Sequence, residues 1–453
     1  MQIWEEEGIA RHGFAPVYTY PGVANRPLHN TLFIRDHLDD RTYYLSFPSL
    51  SYVLPYVAFR VVGAPIAPLS LQIFNIVAHA GVLWLLFHAL LLLTDARRAL
   101  LGVCMYAFAP ALLWFHGNGY THHVLAQLGV IAVGYTYLRA LRAEHRWWEV
   151  SLSVCLLLLL LTEWIGVFLG VVLGIATLVR WRSQPSKSRG VMAALLTSSV
   201  IAVATLIVQY EYYFGLQTYV DYQLGRFAER STLVNDTHST LYQAYAWLKW
   251  TATGYGVWMI LVVAVVARYI YRTYRQLAAL SLSYDQVEWL LLTGTPALLY
   301  HLVFMEFTVV HDYSVLIDGF LWVSVLAIGA QVWQRNFQWY ILVAIVMLAV
   351  AQYYYINRPG TISRSGDPYD MYANIGRYIQ EQVEPNQVLF IAGFSERIPS
   401  NNPQITFYAE RNFIAVGDYR EAVQRWTTAD SVDAYFLQLE RIQVDSTRSG
   451  VLK

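Results

Sequence analysis

Charged residues are scarce in this chain, and their two signs cancel. Lys, Arg, Asp and Glu make up only 14% of its 453 residues, and 31 basic against 31 acidic side chains give a formal net charge of zero. Without a basic excess there is no electrostatic basis for binding nucleic acid. Cysteine is rarer still: Cys104 and Cys155 both lie in apolar stretches, which argues against a disulfide framework. The start, Met1–Glu7, lacks the basic and apolar regions of a signal peptide.

Apolar residues dominate instead. They form 56% of the chain and aromatic residues form 15%, a composition that indicates a polytopic α-helical membrane protein. Stretches of sufficient length and apolarity predict about ten crossings. The predicted crossings are 70–94, 98–115, 122–142, 147–161, 164–180, 190–209, 252–271, 287–304, 313–333 and 337–354.

The distribution of basic residues predicts which loops face the cytoplasm. The apolar stretch 147–180 has arginines on both flanks, so an even number of crossings must separate them. This predicts two short helices with Glu163 at their outer turn. The turns predicted to be external, at 116–121, 162–163 and 305–312, contain no Lys or Arg. This supports an orientation in the inner (plasma) membrane in which the arginine-rich loops face the cytoplasm. The segments predicted to be external, on the periplasmic side, are 1–69, 210–251 and the tail from 355.

Three regions follow from this orientation: an external N-terminal segment with juxtamembrane helices at 1–69, a transmembrane bundle at 70–354 and an external soluble domain at 355–453. Export of nearly seventy N-terminal residues needs a preceding span. We therefore expect that the original first span is missing, through truncation or a misassigned start codon. Autonomous translocation of the N-terminal tail is the alternative.

The tail alternates predicted strands and helices, which is typical of a small parallel α/β domain. It contains no G-x-G-x-x-G or phosphate-loop motif, so nucleotide binding is not indicated. The predicted helices are 375–383, 404–411 and 419–426, and the predicted strands are 388–392, 412–416 and 434–438.

An aromatic stretch, Tyr43–Gly63, precedes the first crossing. Pro48 and Pro55 interrupt it and it is too short to cross a bilayer, so it is predicted to lie along the membrane surface as a bent helix. It either packs against the bundle or forms one wall of a site that faces water above the bundle.

Carboxylates at the external face are the first candidates for chemistry. Glu5, Glu6 and Asp36 lie in the N-terminal segment, where a carboxylate can act as a general base or bind a metal ion. Most exposed carboxylates are only solvated charges, and that alternative applies to each of them. Glu163 differs, because an ionisable group at the membrane boundary is costly and is a functional candidate by default.

Histidines and arginines are the other candidates. His122, His123 and His311 lie in predicted outer loops and could bind a divalent cation or a phosphate, or merely form hydrogen bonds. The long loop 210–251 places tyrosines beside arginines and Lys249, which suits a lipid-linked phosphate or a sugar. The alternative is an aromatic belt with its usual basic neighbours.

The order of these elements resembles the GT-C glycosyltransferases of the PMT/RgtA-like (glycosyltransferase 39-type) family. Its members use polyprenyl-phosphate-linked sugars and include protein O-mannosyltransferases and lipid A aminoarabinose transferases. Ile9–Gly13 resembles the end of the first external helix, and Tyr44–Leu50 resembles a Tyr-x-x-Pro-Pro-Leu element with Ser49 in place of the second proline. Val310–Tyr313 resembles a His-x-Tyr signature, and the tail around Tyr408–Asn412 is similar to the external domain of many members.

The resemblance implies a membrane enzyme with a GT-C-like bundle. It would transfer a sugar, with inversion, from a polyprenyl-phosphate donor to a hydroxyl group of a lipid, glycan or protein at the cell envelope, in lipopolysaccharide or protein glycosylation. The family's catalytic Asp would fall just ahead of Met1, so the expected general base becomes Glu6, Asp36 or Glu5.

The resemblance also implies a set of substrate-binding residues: Tyr44, Arg226, Arg230, His311, Tyr313 and Glu163. No metal ligand and no cofactor is assigned, and a divalent cation at the donor phosphate stays open. Two alternatives remain at this stage, a transporter or flippase of lipid-linked sugars and a catalytically inactive GT-C-like scaffold.

Overall fold

A computed structural model describes most of the chain, in two compact units. One unit comprises Met1–Pro16 and Leu45–Ile356, and the other comprises Val17–Tyr44 and Asn357–Lys453. The described residues are 1–17, 34–35, 42–118, 122–142, 145–231, 238–275, 282–332, 342–343, 346–353, 369–384, 387–392, 413–426 and 434–439.

The first unit is built almost entirely from helices. In chain order its helices α1 to α7 are Gln2–Glu7, Leu50–Val62, Pro68–Leu91, Ala96–Ala107, Pro110–Asn118, His122–Arg142 and Trp147–Leu160. Helices α8 to α14 are Ile165–Trp181, Pro185–Phe214, Leu216–Arg230, Thr240–Tyr274, Tyr284–Val303, Met305–Val310 and Gly319–Gly329. Short 3₁₀ helices at Ile9–His12 and Asp312–Asp318 follow α1 and precede α14.

Several of these helices can cross a bilayer, which confirms the predicted α-helical polytopic membrane class. Within the described ranges, four are long and apolar enough to do so alone: α3, α6, α9 and residues 240–272 of α11. Helices α4 and α5 are bent by 58° at Phe108 and Ala109 and together would form a fifth span. The remaining apolar helices are shorter, so part of the ten predicted crossings depends on them.

The basic flanks around 147–180 correctly predicted two helices in that stretch. Helix α7 ends at Leu160 and α8 begins at Ile165. The turn between them is held by the Thr162 hydroxyl, which donates to the Leu158 carbonyl at 2.7 Å, and by the Leu50 amide, which donates to the Leu161 carbonyl at 3.1 Å. The start of α2 therefore anchors the turn that carries Glu163.

Two other expectations need correction. The stretch expected to be one bent helix from Tyr43 is helical only from Leu50, because the residue before Pro48 is restricted to extended backbone. The segment 210–251 is largely helical rather than an open loop, since α9 continues to Phe214 and α10 follows after Gly215. Its tyrosines and arginines are consequently fixed on helix faces.

The N-terminal segment packs on α2 and α9 through specific contacts. The buried Trp4 indole donates to the Ala15 carbonyl at 3.0 Å, and the Tyr56 hydroxyl donates to the Trp4 carbonyl at 3.2 Å. Tyr213 on α9 donates its hydroxyl to the Ala10 carbonyl at 2.7 Å. These bonds tie Met1–Pro16 into the first unit.

Gly13 is where this packing is least tolerant of change. It has a left-handed backbone, with φ of 59°, and a Cβ there would overlap the ring of Tyr213. We expect Gly13→Ala to lower the free energy of unfolding by about 1–2 kcal/mol from the backbone alone, with a further loss from the overlap. The measurement is thermal unfolding of the purified protein in detergent. Gly170→Ala on α8 is the control, because its Cβ would meet open space, and equal stability of both variants would contradict the prediction.

The second unit contains a parallel sheet. Strand β3 (Val388–Ala392) pairs in parallel with β4 (Ile414–Ala415) on one side and with β5 (Ala434–Gln438) on the other. Helices α15 (Tyr369–Gln382) and α16 (Tyr419–Trp426) accompany it. Strands 388–392 and 434–438 and helix 419–426 have the limits that the sequence predicts, whereas the predicted helix 404–411 lies outside the described residues. A short antiparallel pair, Ile34–Arg35 with Thr42–Tyr43, belongs to the same unit.

Candidate active site

A buried carboxylate lies at the turn between α7 and α8. Glu163 has no exposed surface; its Oε2 accepts from the Ile165 amide at 2.6 Å and its Oε1 from the Tyr300 hydroxyl at 3.3 Å. Burial raises the pKa of Glu163 to about 7, although these hydrogen bonds and the charge of Arg230 act in the opposite direction. Burial therefore disfavours the ionised form of Glu163, and a nearby positive charge favours it.

Two histidines face this carboxylate from the start of α6. His122 and His123 are buried, their ring centroids are 4.3 Å apart, and His123 Nδ1 lies 4.0 Å from Glu163 Oε1. One ligand atom from each of His122, His123 and Glu163 lies within 4.8 Å of the others. We call these three residues the His–Glu triad. Three of their ring nitrogens have no hydrogen-bond partner in the described part of the chain: Nε2 of His122 and both nitrogens of His123.

Aromatic rings enclose the triad. Phe47 stacks on His122 with centroids 3.7 Å apart, and Tyr313 lies 5.0 Å from His123 between ring centroids. Phe307 packs against Phe47 and against His311, whose ring is 4.9 Å from Tyr313. The site is thus lined by apolar ring faces that exclude water, which strengthens the electrostatic interactions inside it.

Two arginines on α10 complete the site. Arg226 and Arg230 are four residues apart, so they share one face of the helix, and both are at least nine-tenths buried. Arg226 Nε donates to Ser46 Oγ at 3.1 Å, and the Arg230 guanidinium makes a weak 3.5 Å contact with the Ser46 carbonyl. The Arg230 guanidinium also lies over the rings of Phe47 and Phe307, at 4.7 and 5.1 Å. These aromatic faces hold a positive charge next to the triad.

His311 supplies a neutral ring rather than another charge. Burial and the charges of Arg230 and Arg226 lower its pKa to about 4. At neutral pH it can accept or donate a hydrogen bond but does not balance an anion, so the positive charge of the site comes from the arginines.

The structure brings together five of the residues expected to bind substrate: Glu163, Arg226, Arg230, His311 and Tyr313. Tyr44 belongs to the other unit. Of the three residues expected as general bases, Glu5 and Glu6 lie on α1, and Asp36 lies outside the described residues. Glu5 forms an ion pair with Arg60 at 3.1 Å, and Glu6 is exposed.

Sequence reasoning did not assign His122 and His123 to the site, although it noted them as outer-loop histidines. Ser46 and Phe47 were also missed, despite lying inside the Tyr44–Leu50 element. The usable signal was the pair of adjacent histidines at the start of a predicted crossing, because imidazoles are rarely placed there without a partner.

The comparison with solved structures shows the fold. The chain has a GT-C-like fold, a bundle of helices of which several can cross a bilayer. The crystal structure of ArnT from Cupriavidus metallidurans bound to undecaprenyl phosphate matches 93% of this chain and 87% of its own, with a TM-score of 0.56 and 13% sequence identity.

A second solved structure is similar over less of its length. The Archaeoglobus fulgidus oligosaccharyltransferase in complex with Zn and sulfate matches 88% of this chain and 57% of its own, with a TM-score of 0.49 and 14% identity. No protein-family model matches the sequence, and no curated protein sequence does. The similarity is thus one of fold.

Proposed function

We propose that this chain is an integral-membrane glycosyltransferase that moves a sugar from a polyprenyl-phosphate donor to a hydroxyl acceptor on the external face. The observation that carries the proposal is the buried Arg230 beside the buried His–Glu triad, at the turn between α7 and α8. Arg226, on the same helix face, is paired with Glu229, whereas Arg230 Nε has no hydrogen-bond partner among the described residues. A buried guanidinium group of this kind needs an anion, and a phosphate ester at the end of a membrane-bound lipid supplies one. The ArnT protein with a similar fold binds undecaprenyl phosphate, which agrees with this donor class.

The reaction balances with groups available in the chain. The bond between the anomeric carbon and the donor phosphate oxygen breaks, and its electron pair leaves with the polyprenyl phosphate. The acceptor oxygen forms the new bond to the anomeric carbon and loses its proton to a carboxylate. One direct displacement inverts the configuration at that carbon. Arg226 and Arg230 stabilise the charge that develops on the departing phosphate.

The general base is a carboxylate of the N-terminal segment. Glu6, Asp36 and Glu5 are the candidates, and Glu5 is the weakest of them because it is already paired with Arg60. Glu229 pairs with Arg226. Glu163 is a buried carboxylate within the electrostatic influence of Arg230, and its hydrogen bonds to Ile165 and Tyr300 fix its orientation. Its buried position suits binding of a partner inside the site more than removal of a proton from an acceptor that arrives from outside.

Membrane orientation forms part of the same proposal. The positive-inside distribution of arginine predicts that the turn at Glu163 and helix α10 face the periplasm, with both terminal segments external. The donor's polyprenyl tail would then remain in the bilayer while its phosphate enters the site. The acceptor, whether lipid, glycan or protein, would approach from outside.

The test is glycan and lipid analysis of a deletion strain of the native host, complemented by the wild type and by single variants. We expect the wild type to restore one glycosylated product and Arg226→Ala to fail. Glu6→Gln and Asp36→Asn each remove one candidate base. The variant that lacks the true base should fail to restore the product, and the other should restore it. Restoration by Arg226→Ala at wild-type level would contradict the proposal. Unmodified acceptor that accumulates together with donor in the inner leaflet would instead favour a flippase.

A further inference from the structure

The His–Glu triad has unused ligand atoms in a buried place. Within the described chain, both nitrogens of His123 and Nε2 of His122 have no hydrogen-bond partner, and neither ring is exposed to solvent. A buried polar atom without a partner costs about 1–3 kcal/mol. One nitrogen of each ring and one oxygen of Glu163 lie within 4.8 Å of one another, which indicates a ligand that the three side chains share.

We propose that His122, His123 and Glu163 form a binding site for a divalent transition-metal ion of the zinc type. Two imidazole nitrogens and a carboxylate oxygen are the donors that such ions prefer, whereas magnesium and calcium favour sites made of oxygen alone. The ligand atoms lie within 4.8 Å of one another. Bonds of about 2.0–2.1 Å would draw them closer, which small side-chain rotations at the helix start and at the turn can accommodate.

Neighbouring groups support these ligands. The Ile165 amide and the Tyr300 hydroxyl orient the Glu163 carboxylate, and Phe47 fixes the plane of the His122 ring. Groups that orient the ligands in this way raise metal affinity. Three protein ligands leave at least one coordination position for an oxygen from outside the protein, which is typical of reactive rather than structural sites.

The local charge predicts what occupies that position. Glu163 contributes one negative charge, Arg230 one positive charge and a divalent ion two, so these groups carry an excess of two positive charges. An anion that binds to the ion and to Arg230 together reduces this excess. If the proposed function holds, that anion is the donor phosphate; this step rests on the proposed function, whereas metal binding by the triad does not.

The test uses the full-length protein, purified in detergent, stripped of metal and titrated with Co²⁺ as a spectroscopic probe. We expect one equivalent to bind, with the visible d–d absorption of a low-coordinate nitrogen and oxygen site. His123→Ala and Glu163→Gln should each weaken Co²⁺ binding by about 100-fold or more, beyond the 10–100-fold effect of losing a group that only orients a ligand.

Two controls match these variants. His88→Ala removes a histidine that makes edge-to-face contacts with Trp84 and Phe87 of α3, and Glu306→Gln removes a buried carboxylate that pairs with His238 at 2.7 Å. Both should bind Co²⁺ like the wild type. Size-exclusion profiles establish that each variant is folded. Absence of stoichiometric Co²⁺ in the wild type, or unchanged binding in both triad variants, would overturn the metal site. Neither result depends on sugar transfer, so the donor proposal is tested separately.

Discussion

Replacing Arg230 by alanine is expected to reduce sugar transfer by about 10²–10³-fold, the usual effect of removing one preorganised donor that stabilises developing negative charge. Arg230 is at least nine-tenths buried and is held over Phe47 and Phe307, so its charge is fixed in position beside the triad. The measurement is the initial rate of product formation in proteoliposomes, with a labelled lipid-linked sugar identified from the native host.

Two further substitutions separate charge from geometry. Arg230→Lys keeps the charge but loses the planar group that stacks on the rings, so we expect an intermediate rate. Arg98→Ala removes a cation at the start of α4 that pairs with Asp95, and it should leave the rate unchanged. A rate for Arg230→Ala equal to that of Arg98→Ala would refute the assigned role.

The second large effect is on stability, at a buried ion-pair network formed by α8 and α12. Arg180 Nε lies 2.9 Å from both carboxylate oxygens of Glu288, and its Nη2 lies 2.5 Å from Asp285 Oδ1. Tyr137 also donates to Glu288, at 3.0 Å. Arg180→Ala would leave the Glu288 charge buried without its main partner. We expect a loss of about 3–5 kcal/mol in the free energy of unfolding, measured by thermal or denaturant unfolding in detergent micelles.

The matched comparison is an exposed pair. Asp95 caps α4 by accepting a hydrogen bond from the Arg98 amide, and its carboxylate also accepts from the Arg98 guanidinium at 2.9 Å. Arg98→Ala removes only the guanidinium and should cost about 1 kcal/mol or less. Replacing both partners, as Arg180→Met with Glu288→Met, should recover most of the stability, because two apolar side chains need no counter-charge. Failure of the double variant to recover stability would show that the network is needed for more than charge balance.

Part of this architecture was predictable because it depends on local pattern. Arginines on both sides of 147–180 required two helices, and the turn carrying Glu163 followed from that count. The strands at 388–392 and 434–438 were visible as apolar runs between polar turns. Arg226 and Arg230 were recognisable as cations among aromatic residues.

The assembled site was not predictable, because its parts are distant in sequence. Ser46 meets Arg226 across 180 residues, and Glu163 meets Tyr300 across 137. Nothing local to His122 or His123 indicates that their rings face a carboxylate from another turn. Glu5 looked like a free base in the sequence, and only the fold brings Arg60 next to it. Pairings of this kind depend on how the helices pack, which a single sequence does not encode in any one segment.

The most direct test of the proposed function is the affinity of the purified protein for undecaprenyl phosphate, measured by native mass spectrometry. We predict that one lipid binds to the wild type and to Arg98→Ala, whose cation pairs with Asp95 at the start of α4. Arg230→Ala should weaken this binding by about tenfold or more, because a hydrogen bond to a charged group contributes about 1.5–3 kcal/mol. Equal affinity of the wild type and Arg230→Ala for this lipid would contradict the proposal that Arg230 receives the donor phosphate.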